Sequence, residues 1–211
     1  MFSLMEKLSN KIISRVLLYI RILEELIKKN RVRVSSNELA KLTGLSDVQI
    51  RKDISKFGKV GTPRLGYNTI ELKGVLEDFV LHKKTIQLAL FGVGNLGTAI
   101  LKYPAFRKDR LNIAAAFDKD KNKIGRTINS VRIYSIDKAP EIIKKTRSEI
   151  GIVAVGAQDS QEVVDIMVLS GLKGIINFAP VFLNAPKDVI VRDIDLSLEF
   201  LALYCSVKIM E

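Results

Sequence analysis

The chain of 211 residues carries 34 lysines and arginines against 23 acidic side chains, a formal charge of +11, and 47% of it is hydrophobic. That length holds two modest domains or one large one, and the basic excess suits a polyanionic partner such as nucleic acid or an anionic membrane surface. No uncharged apolar run reaches the roughly 18 residues of a membrane span, and no signal-peptide core stands at the N-terminus. One cysteine, Cys205, and one histidine, His82, exclude an internal disulfide and a four-ligand zinc site, so a soluble cytoplasmic protein without metal is expected.

The charge is unevenly spread: residues 1 to 84 hold 17 basic and 9 acidic side chains, residues 85 to 211 hold 17 and 14. A helix is expected from Ser9 or Asn10 to Lys28-Lys29-Asn30, with Ile12, Ile13, Val16, Leu17, Ile20, Leu23, Leu26 and Ile27 on one stripe. Ser35-Ser36-Asn37-Glu38 reads as a capping box, in which a serine hydroxyl and the glutamate each satisfy an orphan amide. After the turn Thr43-Gly44-Leu45, a second cap at Ser46-Asp47-Val48-Gln49 opens a helix to about Phe57, giving a helix-turn-helix. Ile50, Ile54 and Phe57 share its core arc. Ser46 at its start and Val48, Gln49, Arg51, Lys52, Ser55 and Lys56 on the outer arc are candidate DNA contacts, against the plainer reading of a solvated face.

Residues 58 to 67 pack three glycines and a proline around Lys59 and Arg64, which suits a β-hairpin wing with basic residues for a minor groove. A helix at about Ile70 to Leu81 leads to His82, whose place in a linker is read as structural. Residues 1 to 84 are therefore expected to form a winged-helix DNA-binding domain.

Ile86 to Phe91 reads as a buried strand running into Gly92-Val93-Gly94-Asn95-Leu96-Gly97 and a helix through Lys102. In G-x-G-x-x-G the first glycine makes the turn, the second admits a pyrophosphate and the third lets helix and strand pack closely. A strand from Leu111 to Phe117 ends in Asp118, 21 residues past Gly97, where an acid for a ribose hydroxyl is expected. Asp118 favours NAD over NADP, although Lys119, Lys121 and Lys123 follow it. Strands at Gly151 to Val155 and Gly174 to Ile176, with a helix at about Ser160 to Ser170 between them, continue an α/β Rossmann-like parallel sheet. Val155, Gly156 and Ala157, Lys119, and the loop Asn177-Phe178-Ala179-Pro180 are candidate neighbours of the cofactor at the carboxyl ends of the strands. Residues 85 to 194 thus form the expected dinucleotide-binding domain. The segment from Asp195 is apolar nearly all round and predicts a buried C-terminal dimerisation helix over 195 to 211, exchanged between protomers or packed within its own monomer, with Cys205 a packed thiol.

Three segments carry a resemblance to a known family. Gln49-Ile50-Arg51-Lys52-Asp53-Ile54-Ser55, Tyr103-Pro104-Ala105-Phe106 and Lys173-Gly174-Ile175-Ile176-Asn177-Phe178-Ala179-Pro180, in this order around the glycine fingerprint, resemble the Rex family of bacterial redox-sensing transcriptional repressors. The resemblance covers nearly the whole chain and implies a homodimer that binds palindromic operator DNA and releases it when NADH replaces NAD+. It also implies that Arg21, Tyr103 and Asp195 form a switching contact. Lys56, Arg64, Gly156 and Leu196 depart from the family pattern. The rival readings are a small NAD-dependent dehydrogenase, which would lack a substrate domain, and a dimerisation module with an empty dinucleotide fold.

Overall fold

The computed structural model describes residues 9–62, 65–80, 84–104 and 110–209. The chain divides between Lys84 and Thr85 into two compact units, each with its own core.

In the first unit, helix α1 (Asn10–Lys28) is amphipathic, and Val16, Tyr19, Ile20, Leu23 and Leu26 are buried along one stripe. Strand β1 (Arg33–Val34) precedes α2 (Ser36–Thr43) and α3 (Asp47–Ile54). Gly44 ends α2 in the left-handed region at φ +72°, which the tight turn between these helices requires. Ser35 Oγ accepts from the Glu38 N–H at 3.1 Å, but the Glu38 carboxylate pairs with Arg31 at 2.9 Å, so only half of the expected capping box forms. The α-helical turns of α3 stop at Ile54 and a 3₁₀ turn carries the chain through Ser55–Phe57, shorter than the helix to Phe57 that periodicity predicts. Phe57 meets Phe79 edge to face at 5.2 Å, tying that turn to α4 (Thr69–Val80). Strand β2 (Tyr67–Asn68) pairs antiparallel with β1, and a bridge between Thr62 and Gly66 closes the base of the wing. Arg64 and His82 lie outside the described residues.

One carboxylate sits inside this unit. Asp53 is fully buried and accepts from Arg15 Nε and Nη2 at 2.6 and 2.8 Å, from the Tyr19 hydroxyl at 2.9 Å and from Gln49 Nε2 at 2.8 Å. A carboxylate has about four acceptor positions, and four donors fill them here. Burial alone would raise the Asp53 carboxyl, but the bonds from Arg15, Tyr19 and Gln49 and the charge of Arg15 outweigh it and hold the group below the usual carboxylate range. The same bond, after burial, pushes the Tyr19 phenol up.

The second unit is a seven-stranded sheet in the order β5-β6-β4-β3-β7-β8-β9. Its strands are β3 (Ile86–Phe91), β4 (Leu111–Asp118), β5 (Thr127–Ile128), β6 (Val131–Ser135), β7 (Ile150–Val153), β8 (Gly174–Asn177) and β9 (Ile190–Asp193). All neighbours are parallel except the β5–β6 hairpin. On one face Ala89, Phe91, Ala115 and Phe117 pack with α6 (Ala139–Thr146) and α7 (Ala157–Leu169); on the other Leu88, Leu90 and Ala116 pack with α5 (Asn95–Lys102). The alternation follows from the two-residue period of a strand covered on both sides. The hairpin, α6 and β9 are additions to the predicted elements. Strand β7 ends at Val153, two residues short of the expected end. Helix α7 starts three residues early because Gly156 already holds the extended N-cap conformation.

Helix α8 (Leu196–Ile209) closes the described chain with no residue buried. Its eight large apolar side chains, from Leu196 to Ile209, are 48 to 86% exposed, and Cys205 is exposed with them rather than packed inside its own chain.

The buried carboxylate makes a measurable demand. Asp53→Ala is expected to cost about 3 kcal/mol by urea denaturation at neutral pH, at the low end for breaking a buried pair because the Arg15 side chain keeps 23% of its exposure. The folded-state pKa is the lower one, so this stabilisation is complete above the unfolded value of about 4 and is lost as pH falls through the folded value. The gap between the two proteins should hold steady near neutrality and narrow in acid; a gap of constant size down to about pH 2 would show that the charge is not its source.

Candidate DNA-facing helix and dinucleotide site

Helix α3 is set by its own sequence and by α1. Ser46 Oγ accepts from the Gln49 N–H at 3.2 Å, and Asp47 in the first turn complements the helix dipole. Ile50 and Ile54 are buried, whereas Val48 is 62% exposed and Arg51, Lys52, Ser55, Lys56 and Lys59 lie on the surface. Arg51 pairs with Asp47 at 2.8 Å. An exposed pair of that kind contributes at most about 1 kcal/mol, so the Arg51 guanidinium can leave it at little cost. Ser55 Oγ is turned back onto the Lys52 carbonyl at 3.0 Å. Gln49 differs from its neighbours: it is half-buried, with its amide nitrogen on Asp53. Sequence reasoning passed over Asp53, Arg15 and Tyr19. Their signal was an acid on the arc of Ile50, Ile54 and Phe57, and an arginine and a tyrosine one turn apart on α1.

In the second unit, β3 ends at Phe91 and Gly92 turns the chain at φ +94°. A β-carbon there would sit 2.5 Å from the Ala154 carbonyl oxygen, and one at residue 97 would sit 1.9 Å from the Gly92 carbonyl oxygen, whereas one at residue 94 meets no atom within 4 Å. The outer two glycines are steric necessities of the strand–turn–helix junction. Gly94 borders open space. No side chain caps α5, and none caps α7 behind Gly156. These two helix N-termini follow β3 and β7, neighbouring strands whose connections leave on opposite faces, where a doubly wound sheet opens a crevice. Uncapped N–H groups and the positive end of the helix dipole draw an anion there. Asn95 and Leu96 are exposed in the first turn of α5, Val93 is buried, and Val155 packs beside Gly92 while Ala157 opens α7.

Asp118 ends β4 with 8% exposure and ties the loop down: Oδ2 accepts from the Val93 N–H at 2.8 Å and from Lys123 at 3.1 Å, and Oδ1 from the Asp120 N–H at 2.9 Å. Burial raises this carboxyl, and the two backbone donors with Lys123 more than reverse the effect. Three of about four acceptor positions are filled, which leaves one on Oδ1 for a sugar hydroxyl. Lys119 reaches across to Asp159 in the first turn of α7 at 2.7 Å, so it frames the crevice; the spacing rules that found Asp118 carry no sign of Lys123 or Asp159 as partners. Asn177 is buried and wholly committed to its loop, donating to the Val181 carbonyl and to Asp193 and accepting from the Ala179 N–H, all at 2.8 to 2.9 Å. Ala179 is buried with it, and Phe178 and Pro180 are the more open members of that loop. Chemically, the crevice suits a diphosphate joined to a ribose. Among the described residues no helix is long and apolar enough to cross a membrane and no cluster of metal-ligating side chains occurs.

Residues 83–181 match the family model described as CoA binding domain, and residues 7–55 match that described as Putative DNA-binding protein N-terminus. Redox-sensing transcriptional repressor Rex of Carboxydothermus hydrogenoformans is 39% identical over 96% of this chain and 97% of its own, and that of Pelotomaculum thermopropionicum is 40% identical over 90% of each. The chain belongs to the Rex family. The crystal structure of RSP, a Rex-family repressor, in complex with β-NAD+ and operator DNA superposes with a TM-score of 0.88 at 34% identity, covering 95% of this chain and 92% of that one. The RSP complex with β-NADH gives 0.86 at 33% identity over 95% and 94%.

Three further residues were singled out in the sequence as a Rex switch. Asp195 caps α8, accepting from Ser197 Oγ at 2.5 Å and from the Ser197 and Leu198 N–H groups at 2.9 and 3.3 Å; the Ser197 bond leads in holding its carboxyl below the usual range. Tyr103 ends α5 with 56% exposure, and Arg21 is exposed on α1.

The glycine contacts predict different outcomes for one methyl group. Gly97→Ala should lower the melting temperature by several degrees, because α5 must move off the Gly92 turn, while Gly94→Ala should leave it nearly unchanged. Equal melting temperatures for the two variants, read by circular dichroism, would contradict the packing described.

Proposed function

We propose that this Rex chain is a homodimeric redox-sensing repressor that holds palindromic operator DNA through its winged helices and lets it go when NADH replaces NAD+. The observation that carries the reading is the pairing, in one chain, of a doubly capped helix-turn-helix bearing an exposed cationic face with a glycine loop and ribose acid in Rossmann context. Whole-chain likeness to RSP, whose structures contain NAD+ with operator DNA and NADH, supports the same pairing of ligands.

On this reading Ser46, Val48, Gln49, Arg51, Lys52, Ser55 and Lys56 meet the major groove and its phosphates, and Lys59 and Arg64 of the wing reach the backbone or minor groove. Gly92 to Gly97 and the α5 N-terminus hold the pyrophosphate. Asp118 orients a ribose, with Lys119 beside it, and Val155 to Ala157 with Asn177 to Pro180 form the nicotinamide side, Asn177 by shaping the loop. When bound, the nicotinamide supplies a ring that is cationic when oxidised and neutral when reduced. A ligand moves a two-state equilibrium only through unequal affinity for the two states. By resemblance to the family, discrimination is assigned to Asp195, Tyr103 and Arg21, whose polar contact exists in one state of the dimer and not the other.

A second copy is needed because α8 offers eight large apolar side chains to solvent in a single chain, and burial against a partner, by exchange of the helix between protomers, removes that cost. Two recognition helices then match half-sites about one helical turn apart. We read the protein as a cytoplasmic regulator rather than a dehydrogenase. Its relatives are repressors, and the one histidine of the sequence stands ahead of the glycine loop, which would leave proton transfer in a dehydrogenase to a lysine, a tyrosine or a carboxylate.

Each half of the proposal is testable separately. Lys52→Ala should weaken binding to all duplexes alike and reduce the salt slope of binding by about one per protomer. Calorimetry should show NADH binding to the unmodified chain and none to Gly94→Val, in which a branched side chain occupies the space beside the loop. Wild-type affinity for NADH in Gly94→Val would remove the glycine loop from the site.

A further inference from the structure

The buried Asp53 network reaches one of the side chains assigned to base reading, and only one. Of the α3 residues placed at the groove, Gln49 alone has its functional group held by the core, its Nε2 donating to Asp53 Oδ1 at 2.8 Å. Arg51 is held by a surface acid and Lys52 is exposed. An ionised carboxylate only accepts hydrogen bonds, so it draws the NH2 end of the amide inward and forces Oε1 outward. Arg15 keeps that carboxylate ionised and fixes it bidentately, and Tyr19 closes its remaining acceptor position. Without Asp53, an amide at this place turns over freely and presents either end.

We infer that Asp53 is a specificity-positioning residue: it orients the Gln49 amide so that α3 presents an acceptor beside a donor, the complement of adenine, at one base pair of each half-site. One Nε2 hydrogen is spent on Asp53, which leaves Oε1 and the second N–H. Adenine displays an N6 amino donor next to an N7 acceptor in the major groove, and a glutamine amide meets both at once. Guanine, with acceptors at N7 and O6, meets only the N–H and sets its O6 against Oε1. The inference rests on the reading of α3 as the DNA-recognition helix. It adds that one base preference is built on a residue that never touches DNA.

The test is selection from a pool of palindromic duplexes with randomised half-sites, sequencing the fraction bound by the unmodified full-length chain, by Gln49→Ala, by Asp53→Asn and by the double variant. The unmodified chain should enrich adenine about tenfold at one half-site position. Gln49→Ala should lose that position and no other, Asp53→Asn should reduce it to threefold or less, and the double variant should match Gln49→Ala. A purely structural Asp53 would instead weaken every position together, and that result overturns the inference, as does a folded Asp53→Asn that keeps the adenine preference. If Gln49→Ala changes no position, the inference also falls while the repressor reading stands; if the unmodified chain enriches no sequence, both fall. Should Asp53→Asn fail to fold, nuclear magnetic resonance of the unmodified protein decides. The Gln49 side-chain amide should show one downfield, exchange-protected proton, and two protons like those of a solvated glutamine would overturn the inference.

Discussion

The dinucleotide half of the chain depends on how closely α5 approaches β3. A β-carbon at residue 97 would lie 1.9 Å from the Gly92 carbonyl oxygen, so the helix meets the turn that follows β3 backbone to backbone. That contact aims the first turn of α5, with no side-chain cap, at the crevice. Asp118 then locks the loop from the next strand through the Val93 N–H. Each later feature of the site, the second uncapped helix behind Gly156 and the Lys119–Asp159 pair, is placed relative to that junction by strand order. A rigid scaffold with unsatisfied backbone donors is what an anion-binding site requires.

The DNA-binding half solves its positioning problem with charge. Helix α3 has only eight residues, and the apolar side chains it buries are Ile50 and Ile54. Asp53, fully buried, adds a polar constraint: it joins α3 to α1 through three hydrogen bonds, two from Arg15 and one from Tyr19, and takes a fourth from Gln49 of α3 itself. Buried ion pairs add less net stability than their geometry implies, yet removing one partner is costly because the other charge is left buried and unpaired. The same network places the Gln49 amide.

Much of this was legible in the chain. Serine caps, the glycine between α2 and α3, the G-x-G-x-x-G run after a buried strand and the acid 21 residues past Gly97 are local signals, each set by chemistry within a few residues or by the fixed length of a βαβ unit. The partners of those residues were not. Arg15 and Tyr19 lie 38 and 34 residues from Asp53, and Lys119 lies 40 from Asp159, so only the folded chain brings them together. The bonds by which Asn177 holds its own loop, to Val181, Asp193 and Ala179, were likewise not legible, because the partners of a buried amide are set by the fold. Strand β5 has two residues, too few to show a period, and β9 is a largely exposed edge strand without the buried run that marks β7. The apolar character of α8 was plain from composition, while its exposure in a single chain is a property of the fold.

On the proposed function the two halves are coupled: the occupant of the glycine-loop crevice changes the grip of α3 on DNA. Fluorescence anisotropy of a short palindromic duplex titrated with the full chain at one fixed salt concentration measures it directly, with NAD+ or NADH added in turn. NADH is expected to weaken binding and NAD+ to leave it unchanged. Binding of the duplex with equal affinity in the presence of either dinucleotide, with both shown to occupy the protein, would contradict the coupling.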